Sequence, residues 1–284
     1  MNLTGRREST NVDDRRRSSA VKKGGLGIGV GGIVVALIVL FMGGDPQEAL
    51  QLAQTNQTVA SNYEPTAEEE ELATFAKQIL AGTEDVWSEE FRKMGRKYVP
   101  PKLVLFHGSV QSGCGGATAS SGPFYCSADQ CVYLDLEFFT SMKAQLGADG
   151  DFAYAYVIAH EVGHHVQYLL GTLQDAHQQM SRLSEKQSNQ ISVRLELQAD
   201  YYAGVWAYHD NAMFSSLEDG DIEEGLAVAS RIGDDYLQKK AYGRTVPDSF
   251  NHGTSQQRVR WLKKGLATGS VQGGDTFSPA YSAL

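Results

Sequence analysis

Cysteine is scarce in this chain, with only Cys114, Cys126 and Cys131 in 284 residues. Three thiols cannot supply a four-cysteine zinc site. They allow a single disulfide with one thiol left over, and the residues alone leave the pairing open. Outside the cytoplasm, thiols this close in sequence tend to pair. Basic charge is also short, since the chain carries a formal net charge of −9. An acidic body argues against nucleic acid as a main ligand, because nucleic-acid binding needs a basic face. No internal repeat is present. Long uncharged apolar runs are absent, with one exception near the N-terminus.

That exception runs from Gly25 to Gly44, "GLGIGVGGIVVALIVLFMGG". Its length matches the ~20 residues a helix needs to cross a bilayer. The charge around it is uneven. Residues 1–23 hold seven Lys/Arg against three Asp/Glu, a net of +4, which leaves −13 for the remainder. Positive charge stays on the cytoplasmic side. The expectation is a single-pass protein of the inner membrane, with a basic cytoplasmic tail (1–23), a transmembrane anchor (24–44) and a periplasmic body. A cleaved signal peptide is the rival reading, but the run is long for one and no small-x-small site follows it cleanly. Residues 45–66, rich in Gln, Asn and Thr, read as a polar linker.

The body, 67–270, is long enough for one well-buried core. "EEEELATFAKQILAGTEDVWSEEFRKMG" has helical spacing and an acidic start. "PKLVLFHG" and "CVYLDL" read as strands. "LEFFTSMKAQLG", "RLELQADYYAGVWAYH", "DIEEGLAVASRIGDDYLQKKA" and "TSQQRVRWLKKGLA" read as helices, the last with Thr254 or Ser255 as N-cap. Gln174 to Asn189 is a polar segment, and the chain after Gly269 reads as a loose tail, 271–284. The fold class is α+β: a small antiparallel or mixed sheet packed on a mainly helical body, preceded by one transmembrane helix.

"AYVIAHEVGHHVQYLLG" (155–171) crowds histidines and a glutamate among apolar residues. In a helix, residues four apart share a face, so His160 and His164 can reach one metal ion. Glu161 lies on the neighbouring side, placed to take a proton from a water that the ion activates. This is the H-E-x-x-H arrangement. The apolar flanks place the helix in the core, where two imidazoles and a carboxylate need partners. A catalytic zinc keeps three protein ligands and an open position. Glu196, on a second apolar helix, is the best third ligand; His165, His177 and His209 are weaker ones. Asp200, four residues after Glu196, is placed to hold the outer nitrogen of a ligand histidine, His160 first.

H-E-x-x-H followed by E-x-x-x-D resembles the gluzincin class of zinc metallopeptidases. More closely, the chain resembles a bacterial family of neutral zinc metallopeptidases. The likeness rests on "GRREST-NVDDRRR", "SGCG", "GPFYC", "GADGDFAYAYVIAHEVGHHVQ", "VRLELQAD", "IGDD" and "VPDSFNHGTSQQR" and covers most of the chain. It implies a zincin-like fold, Zn2+ held by His160, His164 and Glu196, and hydrolysis of peptide or protein substrates with Glu161 as general base. Cys114 and Cys126 match the family's loop cysteines, so they are the expected bridge across a Gly-rich loop; Cys131 is atypical. His252, beside a Gly ahead of a helix, is a candidate oxyanion donor and equally an ordinary loop histidine. "CVYLDL" is either the edge strand that an extended peptide pairs with or a core strand. A zinc-binding scaffold without turnover is the alternative from another class, although it would have no use for Glu161. An intramembrane protease would need several spans.

Overall fold

The computed structural model describes residues 1–17 and 63–284. Four strands make a mixed sheet in the order β1 (Val12–Asp14), β2 (Lys102–Phe106), β6 (Cys131–Asp135), β5 (Phe124–Cys126). The β1/β2 and β2/β6 pairs are parallel, and β5 runs antiparallel to β6. β3 (Ser109–Ser112) and β4 (Gly115–Thr118) form a separate hairpin. β6 is buried along its whole length and lies between β2 and β5. It is therefore the core strand of the two readings, and the sheet edge nearest the histidines belongs to β5.

The helices are α1 (Ala67–Lys93), α2 (Glu137–Leu146), α3 (Asp151–Leu170), α4 (Thr172–Met180), α5 (Glu185–Phe214), α6 (Asp221–Arg231), α7 (Asp234–Tyr242) and α8 (Ser255–Thr268). α1 starts where the acidic run predicts. Thr66 Oγ1 accepts from Glu69 N at 3.2 Å and Glu69 Oε2 accepts from Thr66 N at 2.7 Å, a reciprocal cap. Thr254 is the N-cap of α8, accepting from Gln257 N at 3.2 Å. "DIEEGLAVASRIGDDYLQKKA" is two helices, because Gly233 packs against Ser255: a Cβ on it would lie 2.3 Å from Ser255 N. The polar segment after Gln174 contains most of α4, whose Leu173 and Ala176 are buried.

α3 and α5 lie side by side in the core, with Phe152, Tyr156, Val162, Leu197, Val205 and Trp206 buried between the sheet and the other helices. Gly163 sets their approach, since a Cβ there would meet the Ala199 backbone at 3.0–3.1 Å. The C-terminal segment is not loose. Val271 and Leu284 are buried, Gln198 Nε2 donates to Gly274 O at 2.8 Å, and Thr276 Oγ1 donates to Arg194 O at 2.7 Å.

The N-terminal residues require the main correction. β1 is the edge strand beside β2, with Asp14 opposite Leu105. Arg6 holds the buried Asp210 with two hydrogen bonds of 2.8 and 3.2 Å, and Ser9 is buried against Glu84. A single span between tail and body would put these partners on opposite sides of a membrane. The single-pass inner-membrane topology, with a cytoplasmic tail and a periplasmic body, is incompatible with that packing. Among the described residues no helix is long and apolar enough to cross a membrane. The segment 24–44 lies outside the described residues, as does 45–62 of the linker.

Candidate metal centre

α3 is an apolar helix bounded by Gly150 and Gly171, both at positive φ. It presents Tyr156, His160 and His164, spaced four apart, toward α5. His160, His164 and Glu196 each bring a ligand atom within 4.8 Å of the others. His160 Nε2 lies 3.1 Å from Glu196 Oε2, and His164 Nε2 lies 3.4 Å from Glu196 Oε1. Ligand atoms about 2.0–2.1 Å from a tetrahedral ion stand about 3.3 Å apart. The donor set and its separations therefore fit zinc.

Both imidazoles are oriented from behind. His160 Nδ1 is 2.8 Å from Asp200 Oδ1, and His164 Nδ1 is 2.9 Å from Gln167 Oε1. With Nδ1 donating to an oxygen, each Nε2 is the nitrogen left to bind an ion. Gln167 is itself held, donating to Leu195 O at 2.7 Å and to Gln198 Oε1 at 3.1 Å. Asp200 is fully buried and chelated by Arg258, whose Nε and Nη2 each donate at 2.8 Å. Tyr156 OH donates to the same carboxylate at 2.5 Å. Sequence reading missed Gln167, Tyr156 and Arg258. The first two carry a signal, lying three residues after His164 and four before His160 on one helix face. Arg258 has none, being distant in sequence.

The electrostatics follow from these contacts. Burial pushes His160 down, but the Asp200 and Glu196 carboxylates outweigh it and lift the ring to about 10. His164 is likewise raised against burial, by Glu196. Burial would raise Asp200, but Arg258 and His160 hold it at about 2. Glu196 is depressed by the two histidines in spite of its burial. Glu161 is raised, because burial dominates over the nearby imidazoles.

His160, Glu161, His164, Glu196 and Arg258 line one wall of a cleft of about 850 Å³. The other walls are largely apolar and include Phe124, Phe138, Met142, Leu173 and Leu237. Glu161 and His252 both line the cleft. His252 sits in the turn before α8, its backbone N donating to Asp234 Oδ2 at 2.7 Å and its Nδ1 3.3 Å from Asp234 Oδ1. The weaker third-ligand candidates stand apart from the donor group. His165 spans Tyr125 OH (2.9 Å) and Val99 O (2.7 Å), His209 is bonded to Gly269 O at 2.7 Å, and His177 lines the cleft from α4. Cys114 and Cys126 are joined by a disulfide, and Cys131 is a buried free thiol.

A family model described as "Putative neutral zinc metallopeptidase" matches residues 1–277. The chain belongs to that family. The match includes the N-terminal residues packed on the body. Among curated proteins, the chain is 48% identical to the uncharacterized protein YpfJ of Escherichia coli (strain K12) over 284 residues, covering 98% of this chain and 99% of that one. It is 43% identical over 193 residues to the uncharacterized proteins Mb2605 of Mycobacterium bovis and Rv2575 of Mycobacterium tuberculosis (strain H37Rv), covering 64% of each chain. No solved structure matches.

Proposed function

We propose that this member of the zinc metallopeptidase family hydrolyses peptide bonds, with zinc held by His160, His164 and Glu196 and with Glu161 as general base. The observation that carries the reading is Glu161 itself. It is buried in the cleft wall beside the three donors, has no Lys or Arg ion pair among the described residues, and is raised by burial. A carboxyl that has no cationic partner among the described residues, is held by the Tyr125 backbone and is raised by burial suits a base. When bound, zinc supplies Lewis acidity, polarising a carbonyl and making a water acidic near neutral pH.

The chain's own residues do the rest. Asp200 and Gln167 fix the ring planes of His160 and His164. Glu161 takes the proton of the attacking water and passes it to the leaving amine. His252, anchored by Asp234, donates to the oxyanion. An extended peptide adds to the edge of β5 that is unpaired among the described residues, and the apolar walls favour large apolar side chains.

The test is Glu161→Gln. The variant should bind zinc as wild type does and lose about 10²–10⁴-fold in rate on a peptide library. Equal cleavage by the zinc-loaded variant would refute the mechanism. No cleavage by zinc-loaded wild type across a broad library would favour a zinc-binding scaffold.

A further inference from the structure

A second cluster stands where two parallel strands of the sheet end. β2 and β6 are adjacent and parallel, and His107 and Asp135 lie at their carboxyl ends. Outside the carboxyl ends of parallel strands is where such sheets bind ligands. Glu137 opens α2 immediately afterwards. His107, Asp135 and Glu137 each bring a ligand atom within 4.8 Å of the others.

Three observations show that this cluster has unmet bonding capacity. His107 Nδ1 is sealed from solvent and has no hydrogen-bond partner. Glu137 Oε1 lies 3.6 Å from it, too far for a hydrogen bond. Among the described residues, no Lys or Arg forms an ion pair with Asp135 or Glu137, although Asp135 is buried. The groups are also held in place. Asp135 Oδ2 accepts from Gly108 N at 2.8 Å and Oδ1 from Glu137 N at 3.1 Å, and Tyr63 stacks on the His107 ring with centroids 3.5 Å apart. Each Asp135 oxygen keeps a second lone pair.

We propose that His107, Asp135 and Glu137 form a second metal site, separate from the His160 centre, for a divalent transition metal of the zinc or manganese kind. One nitrogen and carboxylate oxygens suit such ions, whereas calcium and magnesium favour all-oxygen sets. The ion takes the orphaned Nδ1 and neutralises the paired carboxylates. It ties the ends of β2 and β6 to the start of α2, whose Glu137, Phe138, Ser141 and Met142 line the cleft. The site thus braces one cleft wall and takes no part in the chemistry.

The test uses the full chain, stripped with a chelator, exposed to excess zinc and freed of unbound ion before metal analysis. Wild type should hold about two ions, where a single catalytic site would hold about one. His107→Ala and Glu137→Gln should each lose one ion and keep the other, and His160→Ala should lose the other. Circular dichroism checks the fold. Glu137 is about a third exposed (32%), so Glu137→Gln decides the matter should His107→Ala fail to fold. A wild type with one ion that only His160→Ala removes overturns the proposal and leaves the peptidase reading intact. A second ion indifferent to both His107→Ala and Glu137→Gln also overturns it. Loss of one ion in His107→Ala with none lost in His160→Ala would support this site and count against the peptidase centre.

Discussion

Replacing Arg258 by Met tests whether the metal centre rests on a buried ion pair. Arg258 and Asp200 are 3% and 0% exposed and joined by two 2.8 Å hydrogen bonds. Removing one partner of a buried pair leaves a stranded charge and typically costs about 3–5 kcal/mol. A second measure is the Asp200 pKa, held at about 2 against an ordinary 3.8. That difference corresponds to about 2 kcal/mol of preference for the charged form. Because the folded value is depressed, this stabilisation is complete above about pH 4 and is lost as pH falls toward 2. Tyr156 and His160 stay bonded to Asp200 in the variant. The loss therefore falls at the lower end, about 3 kcal/mol, or about 6–12 °C in melting temperature for a chain of this size. Zinc affinity should fall about 10–100-fold, because Asp200, which orients His160, loses its own anchor. Arg258→Met with Asp200→Asn should melt higher than Arg258→Met alone, since no charge is then stranded. Differential scanning calorimetry on Arg258→Met, Asp200→Asn and the double variant gives the answer. A melting point within about 2 °C of wild type for Arg258→Met, or strictly additive losses in the double variant, would refute the reasoning.

Zinc affinity should rise with pH between 6 and 9. In the metal-free chain His160 is raised to about 10, so it holds a proton near neutral pH that zinc must displace, and the upward shift of His164 acts in the same direction. Calorimetric titration in buffers of different ionisation enthalpy should show proton release, and a pH-independent affinity would contradict the coupling. The same shift has a stability counterpart: the His160 contribution in the metal-free chain is complete below about 6.5 and lost as pH rises through 10, so alkaline melting should drop. Reduction of Cys114–Cys126, a bridge across 12 residues of sequence, should cost about 3 kcal/mol on a loop-entropy basis. Thermal melts with and without reductant read it, and no change in Cys114→Ser under oxidising conditions would show the bridge to be dispensable.

The centre was legible in the sequence wherever it is written in helical spacing. His160, Glu161 and His164 share a turn of one helix, and Glu196 and Asp200 share a face of another, so a period of 3.6 placed each set without knowledge of the fold. The fourth position of the motif also matters. Gly163 is where α3 approaches the Ala199 backbone, and that approach brings Glu196 up to the two imidazoles. What spacing cannot encode is a partner from a distant element. Arg258 enters from α8, and nothing near it in the chain marks it as the counter-charge of Asp200. His107, Asp135 and Glu137 meet only because β2 and β6 are neighbours in register, a pairing that no local pattern specifies.

The membrane topology failed for a related reason. An uncharged run with basic residues ahead of it is a rule about local composition, and by that rule residues 1–23 belong across a bilayer from the body. The rule takes no account of what the basic residues bind. Arg6 chelates Asp210 at the far end of α5, and Arg16, itself buried, reaches Asp14 at 2.6 Å and Glu70 at 3.0 Å. These arginines match carboxylates of the body, and β1 supplies a backbone ladder beside them. Positive charge at an N-terminus is read as a sidedness signal only when it has no protein partner. Here the partners lie 54 and 204 residues further along the chain, at Glu70 and Asp210, so the same residues serve to close the sheet edge and tie it to α1 and α5.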